Sequence, residues 1–190
     1  MYRKRNKELA ILTLYCGDYK RQIYLREISK LARIPLKTTQ SLLGKLEDMS
    51  ILRSIVKGKN KYFVLNLDNV QTKLLVLQAE IYRTSLFLEM YPQFKTFLKA
   101  LRTDTMMVVF GSFAKLAADK NSDLDLLIVS TGNEKLPFHL ISNKTHIINM
   151  SEHAFMKGLG KEALIKEVMS NHVILNNHSF FVNNVWNRYE

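Results

Sequence analysis

Apolar residues follow a helical period along the N-terminal part of the chain. Three segments, residues 7–16, 25–33 and 37–48, repeat them every three or four positions, so each segment would present one apolar face. Gly17 interrupts the first segment and Pro35 separates the second from the third, because both residue types disfavour a continuing helix. The pattern predicts three short helices, of which the last two form a helix-turn-helix.

The next segment changes to β-structure and then to one long helix. Residues 51–56 and 61–67 are rich in β-branched and aromatic residues and flank a turn at 57–60 that contains Gly58, which predicts a β-hairpin. Residues 69–90 contain neither glycine nor proline and have apolar positions on more than one face, which predicts a long helix. Its apolar surface leaves two alternatives open: burial between two domains, or contact with a second copy of the chain in a homodimer.

Shorter elements fill the C-terminal half of the chain. The pattern predicts a helix at 93–101, strands at 106–110, 122–129 and 145–150, helices at 152–157 and 161–170, and short β-rich pieces across 171–186 divided at Asn176-Asn177.

Charge is distributed unevenly along the chain. The 190 residues have a net charge of +11, and residues 1–68 contain 15 basic and 6 acidic side chains, hence +9. This excess predicts a polyanionic partner, and nucleic acid is favoured over a membrane because no apolar run reaches spanning length. The single cysteine, Cys16, and a charged start without a following apolar region predict an intracellular, cytoplasmic protein.

The residues with the clearest chemistry are the pair Gly111-Ser112 and the acids Asp123 and Asp125. An apolar strand runs into the Gly-Ser turn, and the first N–H groups of the following helix would be free to bind phosphate. Side chains two residues apart in a strand point to one face, so both carboxylates would share divalent cations. Together these groups suit a nucleoside triphosphate held on Mg²⁺.

This arrangement resembles the signature of the nucleotidyltransferase superfamily related to DNA polymerase beta, and most closely its minimal members. In that signature Gly-Ser precedes Asp-x-Asp by ten residues, as Ser112 precedes Asp123 here. The resemblance covers residues 92–190 and implies that Asp123 and Asp125 are catalytic metal ligands and that Gly111 and Ser112 bind the nucleotide.

The same resemblance implies a reaction and its cofactors. An acceptor hydroxyl or oxyanion attacks the α-phosphorus of ATP or another nucleoside triphosphate, and pyrophosphate leaves, with Mg²⁺ neutralising the developing charge. Lys115 would add a positive charge to the nucleotide site, or would simply face solvent as a helix-surface lysine.

Two positions depart from the family pattern. Active members usually carry a third carboxylate on a neighbouring strand, but residues 145–150 contain no acid. His146 and Asn149 are the candidates for that position, whereas Glu134 and Glu152 lie outside the strand. The second departure is Leu116, where many relatives have glycine. The missing charge predicts weaker metal binding and makes turnover uncertain.

Three helices followed by a hairpin resemble the winged helix-turn-helix of prokaryotic regulators. The resemblance implies that the third helix enters the major groove of double-stranded DNA and that the hairpin tip contacts the backbone or the minor groove. It implies DNA contacts by the exposed start of the third helix and by the hairpin lysines, namely Lys37, Thr38, Thr39, Gln40, Ser41, Lys57, Lys59 and Lys61. The bland alternative is that these lysines only keep the hairpin soluble.

The chain is therefore predicted to be an α+β protein with three parts. These are a winged helix-turn-helix at 1–68, a linker helix at 69–91 and a minimal nucleotidyltransferase domain with a mixed sheet at 92–190. The favoured function is a DNA-binding transcriptional regulator with a nucleotide-binding domain. The alternatives are an active Mg²⁺-dependent enzyme that transfers a nucleoside monophosphate to a protein or small molecule, and an inactive interaction scaffold.

Overall fold

The computed structural model describes residues 6–130, 132 and 135–189. They divide into two compact units: one runs up to Tyr82 and includes the last residues of the chain, and the other is Arg83–Arg188. Of the residues that the sequence singled out, Glu134 lies outside the described part of the chain.

The N-terminal unit begins with short helices and ends with a hairpin. Its elements in chain order are α1 (Lys7–Leu12), a 3-10 turn (Thr13–Tyr15), β1 (Ile23–Tyr24), α2 (Leu25–Ala32), α3 (Leu36–Asp48), β2 (Leu52–Lys57) and β3 (Asn60–Leu65). The side chain of Asn6 caps α1 by accepting a hydrogen bond from the backbone N–H of Leu9. Arg33, in the left-handed conformation, ends α2. The two-residue strand β1 was not predicted, since it is too short to show alternation.

The strands of this unit form an antiparallel sheet in the order β1-β3-β2. Lys57 pairs with Asn60, so the hairpin turn consists of only Gly58 and Lys59. Two-residue hairpin turns require positive φ, and Gly58 adopts +60°. The turn is thus shorter than the four-residue loop that the sequence predicted.

The core of the N-terminal unit joins the helices to the inner face of the sheet. Phe63 and Leu65 of β3 are buried, as are Ile28 of α2 and Leu43 of α3. Tyr15 is fully buried and its hydroxyl donates to the carbonyl of Phe63 over 3.1 Å, while burial raises the pKa of its phenol. The period-three and period-two patterns therefore meet in one core.

The long helix α4 (Val70–Met90) contains the boundary between the two units, after Tyr82. In its first part Val70, Leu74 and Ile81 are 70%, 54% and 47% exposed. Spacings of four and seven residues put these side chains on one face of the helix. An apolar stripe of the helix thus faces solvent.

The C-terminal unit combines a sheet with short helices. After α4 its elements are α5 (Phe94–Ala100), β4 (Met106–Phe110), α6 (Gly111–Ala114), β5 (Leu124–Val129), a 3-10 turn (Phe138–Leu140), β6 (Thr145–Met150), α7 (Glu152–Gly158), α8 (Ala163–Ser170), β7 (Val173–Asn176) and α9 (His178–Asn187).

The sheet of this unit is mixed and has the order β6-β5-β4-β7. β5 pairs with β6 in parallel and with β4 in antiparallel orientation, and β7 is antiparallel to β4. On one face, Leu124, Leu126 and Ile128 pack in a core that is rich in aromatic side chains, with Phe87, Tyr91, Phe94, Phe97 and Phe113. The α+β class with a mixed sheet agrees with the prediction.

The end of the chain differs from the prediction of short β-rich pieces across 171–186. Only Val173–Asn176 is a strand, and α9 follows it. Asn177 has φ +57° and caps α9 by accepting a hydrogen bond from the N–H of Phe180. The asparagine pair was correctly placed as a break, but the β-branched and aromatic residues after it are helical, because one face of the helix is buried in the unit.

Among the described residues, none of the helices combines the length and the apolar character needed to cross a lipid bilayer.

Candidate nucleotide-binding site

The Gly-Ser turn lies directly after a fully buried strand. All residues of β4 are buried, and α6 follows as a single helical turn that begins at Gly111. Phe110 is extended, whereas Gly111 has φ +68°, so the chain changes direction at the glycine. The first N–H groups of a helix have no acceptor within it. The turn can therefore offer backbone donors to an anion.

Asp125 packs against this turn. The antiparallel pairing of β4 and β5 sets Asp125 opposite Phe110. A Cβ placed at Gly111 would lie 3.3 Å from Cγ of Asp125 and would clash with its Oδ2 atom. Two physical requirements thus demand glycine at position 111: the positive φ, and the space that the carboxylate fills.

Each of the two acids has a basic neighbour from the segment that forms β6. Nζ of Lys144 is 3.3 Å from Oδ2 of Asp123, and Nδ1 of His146 is 3.4 Å from Oδ1 of Asp125. In both pairs the two residues of each side are separated by one position, so strand alternation carries acids and bases together. The side chains of Lys144 and His146 are 84% and 66% exposed, so each ion pair contributes at most about 1 kcal/mol.

His146 stands where the sequence sought a third carboxylate. The parallel register of β5 and β6 sets His146 opposite Asp125, whereas Asn149 is opposite Ile128. Because Asn149 is three positions from His146, it points to the other face of the strand. Glu152 lies beyond the strand, in the first turn of α7. Of the two candidates that the sequence left open, the imidazole is therefore the one beside the acidic pair.

Ser112 and Lys115 belong to the same helical turn as Gly111. Ser112 is partly buried, and Lys115 is the exposed C-cap of α6, with its backbone N–H donating to the carbonyl of Gly111 over 3.3 Å. No ion pair holds the Lys115 ammonium among the residues that the structure describes. Its chemistry is compatible with a nucleotide contact and with plain exposure to solvent.

Leu116 adopts a conformation that glycine would favour. Its φ is +55°, and its side chain is 40% exposed. For a residue with a Cβ, the left-handed region costs about 1–2 kcal/mol. Since many relatives of the resembled family have glycine here, the backbone of the loop has kept the family's geometry while the residue has changed.

The loop between the Gly-Ser turn and the acids is held by Asp119. Its Oδ1 atom accepts hydrogen bonds from the backbone N–H of Asn121 at 2.9 Å and from the hydroxyl of Ser122 at 3.0 Å. These bonds, the backbone bond from Asn121 first, lower the pKa of the Asp119 carboxyl. Sequence reasoning did not single out Asp119, although an Asp followed by Asn and Ser is typical of such a turn.

The donor set sets limits on a bound cation. Within the described part of the chain, no three His, Cys, Asp or Glu side chains converge on a ready-made metal centre. Mg²⁺ is often held by one or two carboxylates together with the phosphates of its nucleotide. Asp123 and Asp125 fit that mode, since Gly111 leaves room for the Asp125 carboxylate. They do not supply the three carboxylates of the family pattern.

In the N-terminal unit, the start of α3 is mostly exposed. Lys37, Gln40 and Ser41 are exposed and Thr38 is partly so. Thr39, however, is fully buried, and its hydroxyl is 3.2 Å from the carbonyl oxygens of both Ile34 and Pro35. The prediction that Thr39 lies on the exposed surface is wrong, because this hydroxyl satisfies backbone groups at the helix start.

The three hairpin lysines differ in their surroundings. Lys57 and Lys59 are exposed at the turn. Nζ of Lys61 is 2.9 Å from Oε2 of Glu47, in α3, and 5.1 Å from the centre of the Phe63 ring. Two of the three predicted contacts are thus available to a polyanion, and Lys61 is held against its own unit.

Residues 92–175 match the family model described as a nucleotidyltransferase domain. The matched range includes the Gly-Ser turn, both acids and His146. No curated protein and no solved structure matches the chain. The C-terminal part of this protein thus contains a nucleotidyltransferase domain, and its site residues lie within it.

Proposed function

We propose that the protein is a DNA-binding regulator whose nucleotidyltransferase domain binds a nucleoside triphosphate. The observation that carries the proposal is the contact of Asp125 with Gly111, which joins the acidic pair to the phosphate-binding turn. Buried glycine with positive φ beside a carboxylate is difficult to explain by folding alone, since any other residue would conflict with the acid.

The nucleotide would be held from two sides. The N–H groups at the start of α6 and the Ser112 hydroxyl would bind the outer phosphates, and Lys115 would add charge. Asp123 and Asp125 would hold the divalent cation of the nucleotide, with Mg²⁺ as the abundant one. When bound, this cation neutralises phosphate charge and orients the triphosphate.

The architecture of the N-terminal unit supports the winged helix-turn-helix interpretation. Three helices precede an antiparallel sheet whose hairpin projects exposed lysines, and residues 1–68 have a net charge of +9. In this proposal the exposed residues at the start of α3 read the major groove, and Lys57 and Lys59 contact phosphates.

The charges around the acids support nucleotide sensing over rapid turnover. Lys144 and His146 approach the two carboxylates, and no third carboxylate does so among the described residues. The site consequently attracts metal ions less than one with three carboxylates. Both acids and the glycine cradle are nevertheless present, which favours an active enzyme as the second candidate. That enzyme would join an acceptor oxygen to the α-phosphorus while the bond to pyrophosphate breaks and the acceptor proton passes to solvent.

Calorimetric titration of the full chain with ATP and Mg²⁺ tests the nucleotide half. Asp123→Ala with Asp125→Ala should weaken binding at least tenfold, whereas Asp104→Ala, which removes an exposed acid of the same unit, should not. Labelled ATP incubated with Mg²⁺ separates the candidates, because release of pyrophosphate that the double variant lacks indicates the enzyme. Binding without release indicates the sensor.

Salt-dependent binding of duplex DNA tests the other half. Replacing Lys57 and Lys59 by Gln should lower the slope of log K against log salt by about 2, as each phosphate contact contributes about 0.9. The matched control is Lys157→Gln with Lys161→Gln, two exposed lysines of the C-terminal unit. If wild type binds neither DNA nor ATP, both halves are wrong and the inactive scaffold remains.

We also propose that the exposed stripe of α4 contacts a second copy of the chain. Val70, Leu74 and Ile81 follow the four-three spacing at which two identical helices pack together. Sedimentation should detect a dimer that Leu74→Lys with Ile81→Lys converts to monomer. A wild-type monomer at high concentration would overturn this proposal.

A further inference from the structure

The position of His146 beside the acidic pair suggests a role that depends on the proposed nucleotide and cation binding. Parallel pairing sets His146 opposite Asp125, and strand alternation aims both side chains to the same face of the sheet. Nδ1 of His146 and Oδ1 of Asp125 are 3.4 Å apart. The imidazole therefore lies where the domain would otherwise carry a further ligand.

This separation suits two ligands of one metal ion. Two donor atoms about 2.0–2.1 Å from a tetrahedral ion lie about 3.3–3.4 Å apart, and on an octahedral ion about 3.0 Å apart. The observed 3.4 Å requires almost no movement of either side chain to admit a shared cation. Asp123, one position before β5, is near enough in sequence to complete the set when it leaves Lys144.

A purely structural role explains the arrangement less well. The His146 side chain is 66% exposed and that of Asp125 is 31% exposed, so their direct attraction is weak. The side chain of Lys144, the other basic neighbour, is 84% exposed and can turn away from Asp123 without uncovering a buried charge. Little in the fold opposes a rearrangement around a cation.

We propose that His146 is a metal ligand that replaces the third carboxylate and shifts the site's preference from Mg²⁺ toward cations that accept nitrogen, such as Co²⁺ and Zn²⁺. Mg²⁺ prefers oxygen ligands, whereas neutral imidazole is a common ligand of Zn²⁺ and related ions. The exchange of a carboxylate for imidazole removes one negative charge, which weakens Mg²⁺ binding, but retains a donor for the softer ions.

The test uses the full chain, freed of metal, and Co²⁺ and Mg²⁺ as separate probes without nucleotide. Calorimetry gives the two dissociation constants, and visible absorption of Co²⁺ reports a nitrogen ligand. His146→Ala should weaken Co²⁺ binding at least tenfold, with little effect on Mg²⁺. His146→Asp should strengthen Mg²⁺ binding and remove the spectral signature of the imidazole. His153→Ala, an exposed histidine of α7, is the matched control and should change neither constant.

Equal loss of Co²⁺ binding in the His146 and His153 variants would overturn the assignment, as would a wild-type chain that binds Co²⁺ no better than Mg²⁺. Failure of wild type to bind either cation would also overturn it. ATP binding is measured on the same samples. Retained ATP binding in a chain without this metal preference would reject the role of His146 and leave the nucleotide proposal intact.

Discussion

Gly58 and Gly111 have nearly the same backbone conformation, with φ of +60° and +68°, but their surroundings differ. Nothing lies within 4 Å of a Cβ placed at Gly58, while one placed at Gly111 would clash with Asp125. The hairpin turn at Gly58 has exposed lysines around it, and the Gly-Ser turn has carboxylates. Because the local geometry is so similar, the residues packed around each turn determine whether it suits a polyanion or a nucleotide with its cation.

The largest difference is expected from alanine at the two glycines. Gly111→Ala adds a steric conflict to the strain of positive φ and should lower the free energy of unfolding by about 2–4 kcal/mol. Gly58→Ala brings only the φ strain, partly offset by lower entropy of the unfolded chain, and should cost about 1 kcal/mol. Trp186, the single tryptophan, is buried in the C-terminal unit and reports its unfolding in urea.

In that experiment Gly111→Ala should move the tryptophan transition, and Gly58→Ala should leave it almost unchanged. ATP binding should fall with the first variant alone. Equal shifts in the two variants would mean that the contact between Gly111 and Asp125 has no energetic importance.

A smaller difference is expected within the hairpin itself. Lys59→Gln should lower the salt slope of duplex binding by about 1, because an exposed lysine that meets phosphate releases a counterion. Lys61→Gln should change the slope little, since the Lys61 ammonium is paired with Glu47. Fluorescence anisotropy at several salt concentrations measures both. The opposite ranking would indicate that Lys61 leaves Glu47 when DNA binds.

The loop that follows the Gly-Ser turn offers a stabilising change. Leu116→Gly removes the strain of φ +55° and adds the entropy of glycine in the unfolded chain, so a net gain of about 0.5–1 kcal/mol is expected. The Trp186 transition should move to higher urea. A loss of stability would show that the partly exposed Leu116 side chain contributes packing that outweighs the strain.

The smallest effect concerns acid. The pKa of Asp119 is lowered by hydrogen bonds from Asn121 and Ser122, so the carboxylate stabilises the folded loop above its unfolded-state pKa. That contribution is lost as pH falls through the lower folded-state pKa. Titration of the Asp119 side-chain carbon by NMR should show a value below that of a model aspartate, and Ser122→Ala should raise it. A value unaffected by Ser122→Ala would exclude the hydroxyl as a cause.

The sequence alone determined most elements and the nucleotidyltransferase character of the C-terminal part. Apolar periodicity located the helices of the N-terminal unit, the hairpin and the strands β4, β5 and β6 to within a few residues, because each has one consistent buried face. The spacing from Gly111-Ser112 to Asp123 identified the site's parts without coordinates, since that chemistry depends on local backbone geometry and on strand alternation.

Only the tertiary structure decided how these parts meet. The register of β5 with β6 selected His146 over Asn149, and a one-residue shift would have reversed that choice. Thr39 became buried through contacts with backbone atoms before α3, and Lys61 became paired through Glu47. The residues of α9 read as β-rich because intrinsic preference is weak, and burial of one face in the unit outweighs it. Pairing, burial and capping depend on residues far apart in the chain, and a local pattern contains no record of them.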